Sequence, residues 1–107
     1  MLKKKFFKTK DECEVAFEVA LDDAERVELL CESNGWEPIA MKRAKGGPFR
    51  TRVRMPKERG FQFRYLVNGT NWVNDEGADD YRYNEFGGRN GVLYTTPDSQ
   101  PPTISAD

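Results

Sequence analysis

The stretch Gly60–Val67, "GFQFRYLV", decides the fold. Phe61, Phe63, Tyr65 and Val67 fall on every second position, and Gln62, Arg64 and Leu66 stand between them. Successive side chains leave a strand on opposite sides, so this period predicts a β-strand with one buried face. Two other stretches repeat it. Val15, Phe17, Val19 and Leu21 alternate with Glu14, Ala16, Glu18 and Ala20, and Phe49, Thr51, Val53 and Met55 alternate with Arg50, Arg52 and Arg54. Val92–Thr95 is a weaker fourth run. "LDDAERVELLCES", residues 21–33, carries both signals. Ala24, Val27, Leu30 and Cys31 have helical spacing, Val27, Leu29 and Cys31 have strand spacing, and Asp22 or Asp23 can cap a helix. The segment is short, lies between strands and ends at Asn34-Gly35, which favours a loop followed by a strand at about 26–32.

Turn signals punctuate the chain about every ten residues: Asn34-Gly35, Gly46-Gly47-Pro48, Pro56, Gly60, Asn68-Gly69, Gly77, Gly87-Gly88 and Asn90-Gly91. Many short strands at that spacing predict an all-β antiparallel sandwich or small barrel. The chain has 107 residues, enough for one domain. Residues 1–11 read as a basic N-terminal arm or edge strand, 12–96 as the sandwich, and the polar, Pro-rich "PDSQPPTISAD", residues 97–107, as a disordered tail.

Composition excludes several chemistries. There is no histidine, so a Ser–His or Cys–His nucleophile is impossible. Cys13 and Cys31 cannot fill a tetrahedral zinc shell and are expected as reduced, buried thiols. "NDEGADD", residues 74–80, does not have the spacing of a twelve-residue calcium loop and reads as a solvated turn. Neither catalysis nor a cofactor is expected. "MLKKKFFKTK" is followed by no long apolar region, and no run approaches the roughly 20 apolar residues of a membrane span. The expectation is a cytoplasmic protein without a membrane partner.

The net charge of −1 hides segregation. Residues 11–37 carry ten acids against Arg26 alone, and residues 42–64 carry nine bases against Glu58 alone. The basic middle permits a polyanion partner, and "RGFQFRYL", residues 59–66, invites comparison with RNA-binding strands. Base stacking would need Phe61 and Phe63 exposed, whereas they share a face with Tyr65 and Val67. A nucleic-acid partner is therefore not expected.

Both tryptophans follow turn signals. Trp36 lies in "SNGWEPI", residues 33–39, and Trp72 follows Asn68-Gly69. Each is either folded back on the core or a flat platform at the surface. The structural alternatives are a lid for Trp36, packing against Tyr81–Tyr83 for Trp72, an acid partner for Arg64 and a simple turn for Asn90.

In order and spacing, "SNGWEPI", "MKRAKGGPFRTRVRMP", "GFQFRYLVNGTNWVNDEGADDY" and "NEFGGRNGVLY" resemble carbohydrate-binding module family 48, the early-set domain at the N-terminus of isoamylase-type enzymes. The resemblance covers about residues 12–95. It is similar to the glycogen-binding domain of the AMP-activated protein kinase beta subunit. It implies an immunoglobulin-like antiparallel β-sandwich and a non-catalytic module for an α-1,4-glucan such as glycogen, starch or a maltooligosaccharide. It also implies a glycoside hydrolase or other glucan-metabolising enzyme as a partner in trans. The positions it assigns to the sugar are Trp36, Trp72, Arg64 (where the family has a lysine) and Asn90, with Phe86 near an apolar residue that reaches into the sugar helix. "LLCES", residues 29–33, departs from the family's small and aromatic pattern. That departure supports a second reading, a protein-interaction or scaffold domain that keeps the sandwich without the sugar site.

Overall fold

The computed structural model describes residues 1–102, so part of the predicted disordered tail, residues 103–107, lies outside the described residues. The chain is a single all-β domain in which two antiparallel sheets pack as an immunoglobulin-like sandwich. The strands are β1 (Leu2–Phe6), β2 (Glu12–Val19), β3 (Val27–Cys31), β4 (Ile39–Ala40), β5 (Lys42–Arg43), β6 (Phe49–Pro56), β7 (Gly60–Val67), β8 (Asn71–Val73), β9 (Asp80–Tyr83) and β10 (Arg89–Tyr94). One sheet has the order β1-β2-β6-β5, the other β4-β3-β7-β10-β9, with β8 also paired to β7. No helix among the described residues is long and apolar enough to cross a membrane.

The period-two runs form the sandwich. β2 pairs with β6 so that Cys13 meets Met55 and Val15 meets Val53 on the inner face, while Glu14 meets Arg54 and Glu18 meets Arg50 on the outer. β3 pairs with β7, placing Val27, Leu29 and Cys31 beside Val67, Tyr65 and Phe63. Phe61, Phe63 and Tyr65 are buried, so they cannot stack on bases. Phe17 of one sheet meets Phe63 of the other edge-on, with centroids 5.4 Å apart, and Phe63 meets Tyr65 in the same way at 5.9 Å. The ambiguous segment resolves as a loop and the strand β3, because Val27, Leu29 and Cys31 all face the core. The arginine stripe lies on the outer face of β6, and β5 pairs with that strand only at Phe49 and Arg50, so Arg52 and Arg54 lie along a stretch with no second partner strand among the described residues.

Two local readings are corrected. Asn90-Gly91 is not a turn but the middle of β10, where Asn90 pairs with Arg82 and Gly91 with both Tyr81 and Phe63. A side chain at Gly91 would sit 3.3 Å from Ala78 Cβ and 3.4 Å from the Phe63 ring, so the glycine admits a close approach inside the sheet. The acidic loop is not simply solvated either. Asp75 is 3% exposed, and its carboxylate accepts from Tyr65 Oη at 2.7 Å and from the Gly77 amide at 2.7 Å. Buried carboxylates persist only with such donors.

Cys13 and Cys31 are free and fully buried, one in each sheet. Burial raises both thiols and the Tyr65 phenol above their ordinary values, and the neighbouring Asp75 adds to the Tyr65 shift. Raised values mean that the fold favours the neutral forms. Their contribution is fully present below the unfolded thiol value of about 8.5 and is lost as pH rises through the thiol and phenol ranges. The urea midpoint is therefore expected to hold steady from about pH 7 to 8 and to fall by about pH 10. A midpoint unchanged at the alkaline end would contradict this account of the core.

Candidate functional site

The outer face of the larger sheet carries the residues between the buried ones of β7. Leu30 pairs with Arg64 across β3 and β7, Leu66 with Trp72 across β7 and β8, and Asn90 with Arg82 across β10 and β9. These pairings bring the polar side of "GFQFRYLV" and the last strand onto one surface. The turns at its margins then supply the aromatic rings.

Trp36 is set by the turn after β3. Residues Glu32–Asn34 make one 3-10 turn, Gly35 closes it in the left-handed region at φ 73°, and Trp36 follows there at φ 67°. The Gly35 amide donates to Glu32 O at 3.1 Å and the Trp36 amide to Cys31 O at 3.0 Å, a helix-ending pattern that suits glycine at the first position. A bulky residue at the second is costly, and such strain concentrates where a side chain must be aimed. Trp36 is 38% exposed, so it is an open ring and not a closed lid.

Trp72 is set by the hairpin between β7 and β8. Asn68 and Gly69 both take positive φ, and Asn68 Oδ1 accepts from the amides of Glu25 and Arg26 at 2.8 and 3.0 Å, tying the hairpin to the preceding loop. Trp72 is 48% exposed. Its ring is partnered by the Arg64 guanidinium at 5.3 Å. Arg64 has no acid partner among the described residues, and its buried Nε has no hydrogen-bond acceptor.

Trp36, Arg64, Trp72, Phe86 and Asn90 all line one groove of about 430 Å³. Asn84 and Gly88 complete the lining. The groove falls within the range of small-molecule sites, about 300–1,000 Å³. Phe86 stands 88% exposed at its rim. Asn90 is held by a chain of amides: Asn84 Nδ2 donates to Asn90 Oδ1 at 3.3 Å, and Asn90 Nδ2 donates to Gln62 Oε1 at 2.9 Å. Asn84 Oδ1 also accepts from the Phe86 and Gly88 amides at 2.9 and 3.1 Å, which shapes the loop carrying Phe86. Each amide nitrogen has two hydrogens and each oxygen two lone pairs, so Asn90 retains capacity for a ligand.

Asn84 and Gln62 escaped the sequence reading. Gln62 was visible as the solvent-side neighbour of Arg64 two positions away. Asn84, two residues before Phe86 and near Gly87-Gly88, carried an Asx-turn signal. A larger hollow of about 600 Å³ lies near Leu21 and Val73, but its polar lining is mainly Glu18, Asn74, Asp75 and Glu76, and it offers no aromatic ring. No cluster of three or more Cys, Asp or Glu side chains among the described residues could hold a metal ion. No protein-family model matches the chain, and no curated protein matches it.

Proposed function

We propose that the chain is a non-catalytic module that binds an α-1,4-glucan, of the kind found in carbohydrate-binding module family 48. One observation carries this reading: two exposed indoles, a guanidinium and an asparagine, the positions that the family resemblance assigns to the sugar, border the same groove. A pyranose ring presents an apolar C–H face and an equator of hydroxyls. An indole offers that face a flat platform at low entropic cost. Trp36 and Trp72 supply two such platforms, and Arg64 and Asn90 supply donors for hydroxyl oxygens between them. Phe86 adds an apolar rim.

Each stacked ring contributes on the order of 1–3 kcal/mol, by analogy with base stacking. Each hydrogen bond to a hydroxyl adds about 1 kcal/mol. After the cost of association, the dissociation constant should fall between about micromolar and millimolar. Such affinity serves a module that holds an enzyme near a polymer with many equivalent sites. Co-sedimentation with glycogen tests the reading. The intact chain is expected in the pellet, released by soluble maltoheptaose. A chain that stays in the supernatant at every glycogen concentration would reject it.

A further inference from the structure

The outer face of the smaller sheet lies on the opposite side of the sandwich from the groove, and its charges form a grid. Strand register puts Lys5, Glu14 and Arg54 in one row, Lys3, Ala16 and Arg52 in the next, and Glu18, Arg50 and Lys42 in the third. Glu18 pairs with Arg50 at 3.1 Å and Glu14 approaches Arg54 at 4.0 Å. The acidic and basic blocks of the sequence thus interleave across β2 and β6. The middle row has no carboxylate, because Ala16 stands where its neighbouring rows have glutamate. Lys3 and Arg52 have no ion-pair partner among the described residues. Two depressions, of about 360 and about 290 Å³, meet there, and both are lined by Lys3, Ala16 and Arg52.

Adjacent strands lie about 4.8 Å apart, so Lys3 and Arg52 flank Ala16 at a span of roughly 10 Å, within reach of one anion above it. Arg50, Arg52 and Arg54 repeat every ~6.8 Å along β6, the spacing of alternate side chains in an extended chain. We propose that this face docks an extended acidic peptide segment of a partner protein, with one carboxylate seated over Ala16 between Lys3 and Arg52. Single-stranded nucleic acid fits less well, because Phe17 beneath the larger depression is fully buried and Phe7 carries both Arg54 at 4.9 Å and Lys5 at 5.8 Å, which leaves neither ring as a stacking platform. A membrane fits less well because Met1, at one corner, is the sole exposed large apolar side chain on the face among the described residues. Groove and grid lie on different sheets, so glucan and peptide can be held together.

Anisotropy of a fluorescein-labelled peptide with glutamate at alternate positions, titrated with the full chain at low salt, tests this. Oligothymidylate and phosphatidylserine vesicles are run beside it. Peptide binding is expected near 10–100 μM, weakening as salt is added. Ala16→Glu, which supplies the carboxylate internally at an outer strand position, is expected to weaken it about tenfold or more, a difference of about 1.4 kcal/mol. Arg52→Gln, which adds no bulk, is expected to weaken it as well, and neither change should alter glycogen co-sedimentation. The proposal is overturned by no peptide binding at ~1 mM, by variants that both bind as the parent does, or by tighter binding of oligothymidylate or vesicles than of peptide.

Discussion

Replacing Trp72 with alanine is expected to weaken maltoheptaose binding by about tenfold to a hundredfold, the loss of one stacked ring at about 1–3 kcal/mol. Trp36→Ala should do the same from the other margin. Calorimetric titration measures both. Trp72 is half exposed and partnered with Arg64, so its removal strips the platform and also frees the guanidinium that it positions. Trp36 permits a second comparison. Because residue 36 is held at φ 67°, glycine should be tolerated there better than alanine, by about 1 kcal/mol. Trp36→Gly and Trp36→Ala should therefore lose binding equally while the glycine variant melts later. Unchanged affinity in the alanine variants would leave the rings as ordinary surface residues.

Lys4→Met is expected to cost about 3 kcal/mol of stability, the effect of leaving a buried charge without its partner. Lys4 sits on the inward side of β1 and donates to the Asp79 carboxylate, with side chains only 9% and 13% exposed. Asp79 also accepts from the Tyr94 amide at 2.8 Å, so the pair bridges an edge of one sheet to the other. Methionine would keep most of the volume and leave Asp79 buried and charged. Adding Asp79→Asn should restore part of the loss, since no unpaired charge then remains and the amide oxygen can still accept from Tyr94. Thermal unfolding reads both, with an expected drop of more than about 10 °C for the single variant. A single variant that melts with the parent would show the pair to be solvated.

The fold was legible because β2, β6 and β7 keep strict alternation over most of their length, and burial of one face demands that pattern. β3 was legible once its odd positions were weighed against a helix. β1 reads equally as a basic arm or an edge strand, and its lysine-rich sequence hides that it pairs with β2 from Leu2 to Phe6. The short strands β4, β5 and β8 carry too few residues for a period to show. Asp75 and Lys4 were illegible for a different reason. Each is held by a partner far away in the sequence, the Met1 amino group for one and Asp79 for the other, and local composition reads both as solvated. Asn90-Gly91 misleads because the dipeptide is a turn signal locally, while Ala78 and the Phe63 ring leave only tight room for a side chain at Gly91 within the sheet. The positions of Trp36 and Trp72 could be read because each follows an Asn-Gly signal that exposes its neighbours. The amide chain that fixes Asn90 could not, since it joins β7, β10 and the loop between β9 and β10 only after folding.

The glucan reading rests on both indoles meeting one ligand. With Trp36 and Trp72 the sole tryptophans in the chain, its proton–nitrogen NMR spectrum contains two indole Nε1–H signals. During titration with maltoheptaose both are predicted to shift together and saturate at about millimolar sugar or below, while the backbone amides of Lys3, Ala16 and Arg52 on the opposite sheet stay fixed. Two indole signals that remain in place throughout, or only one that moves, would contradict the account.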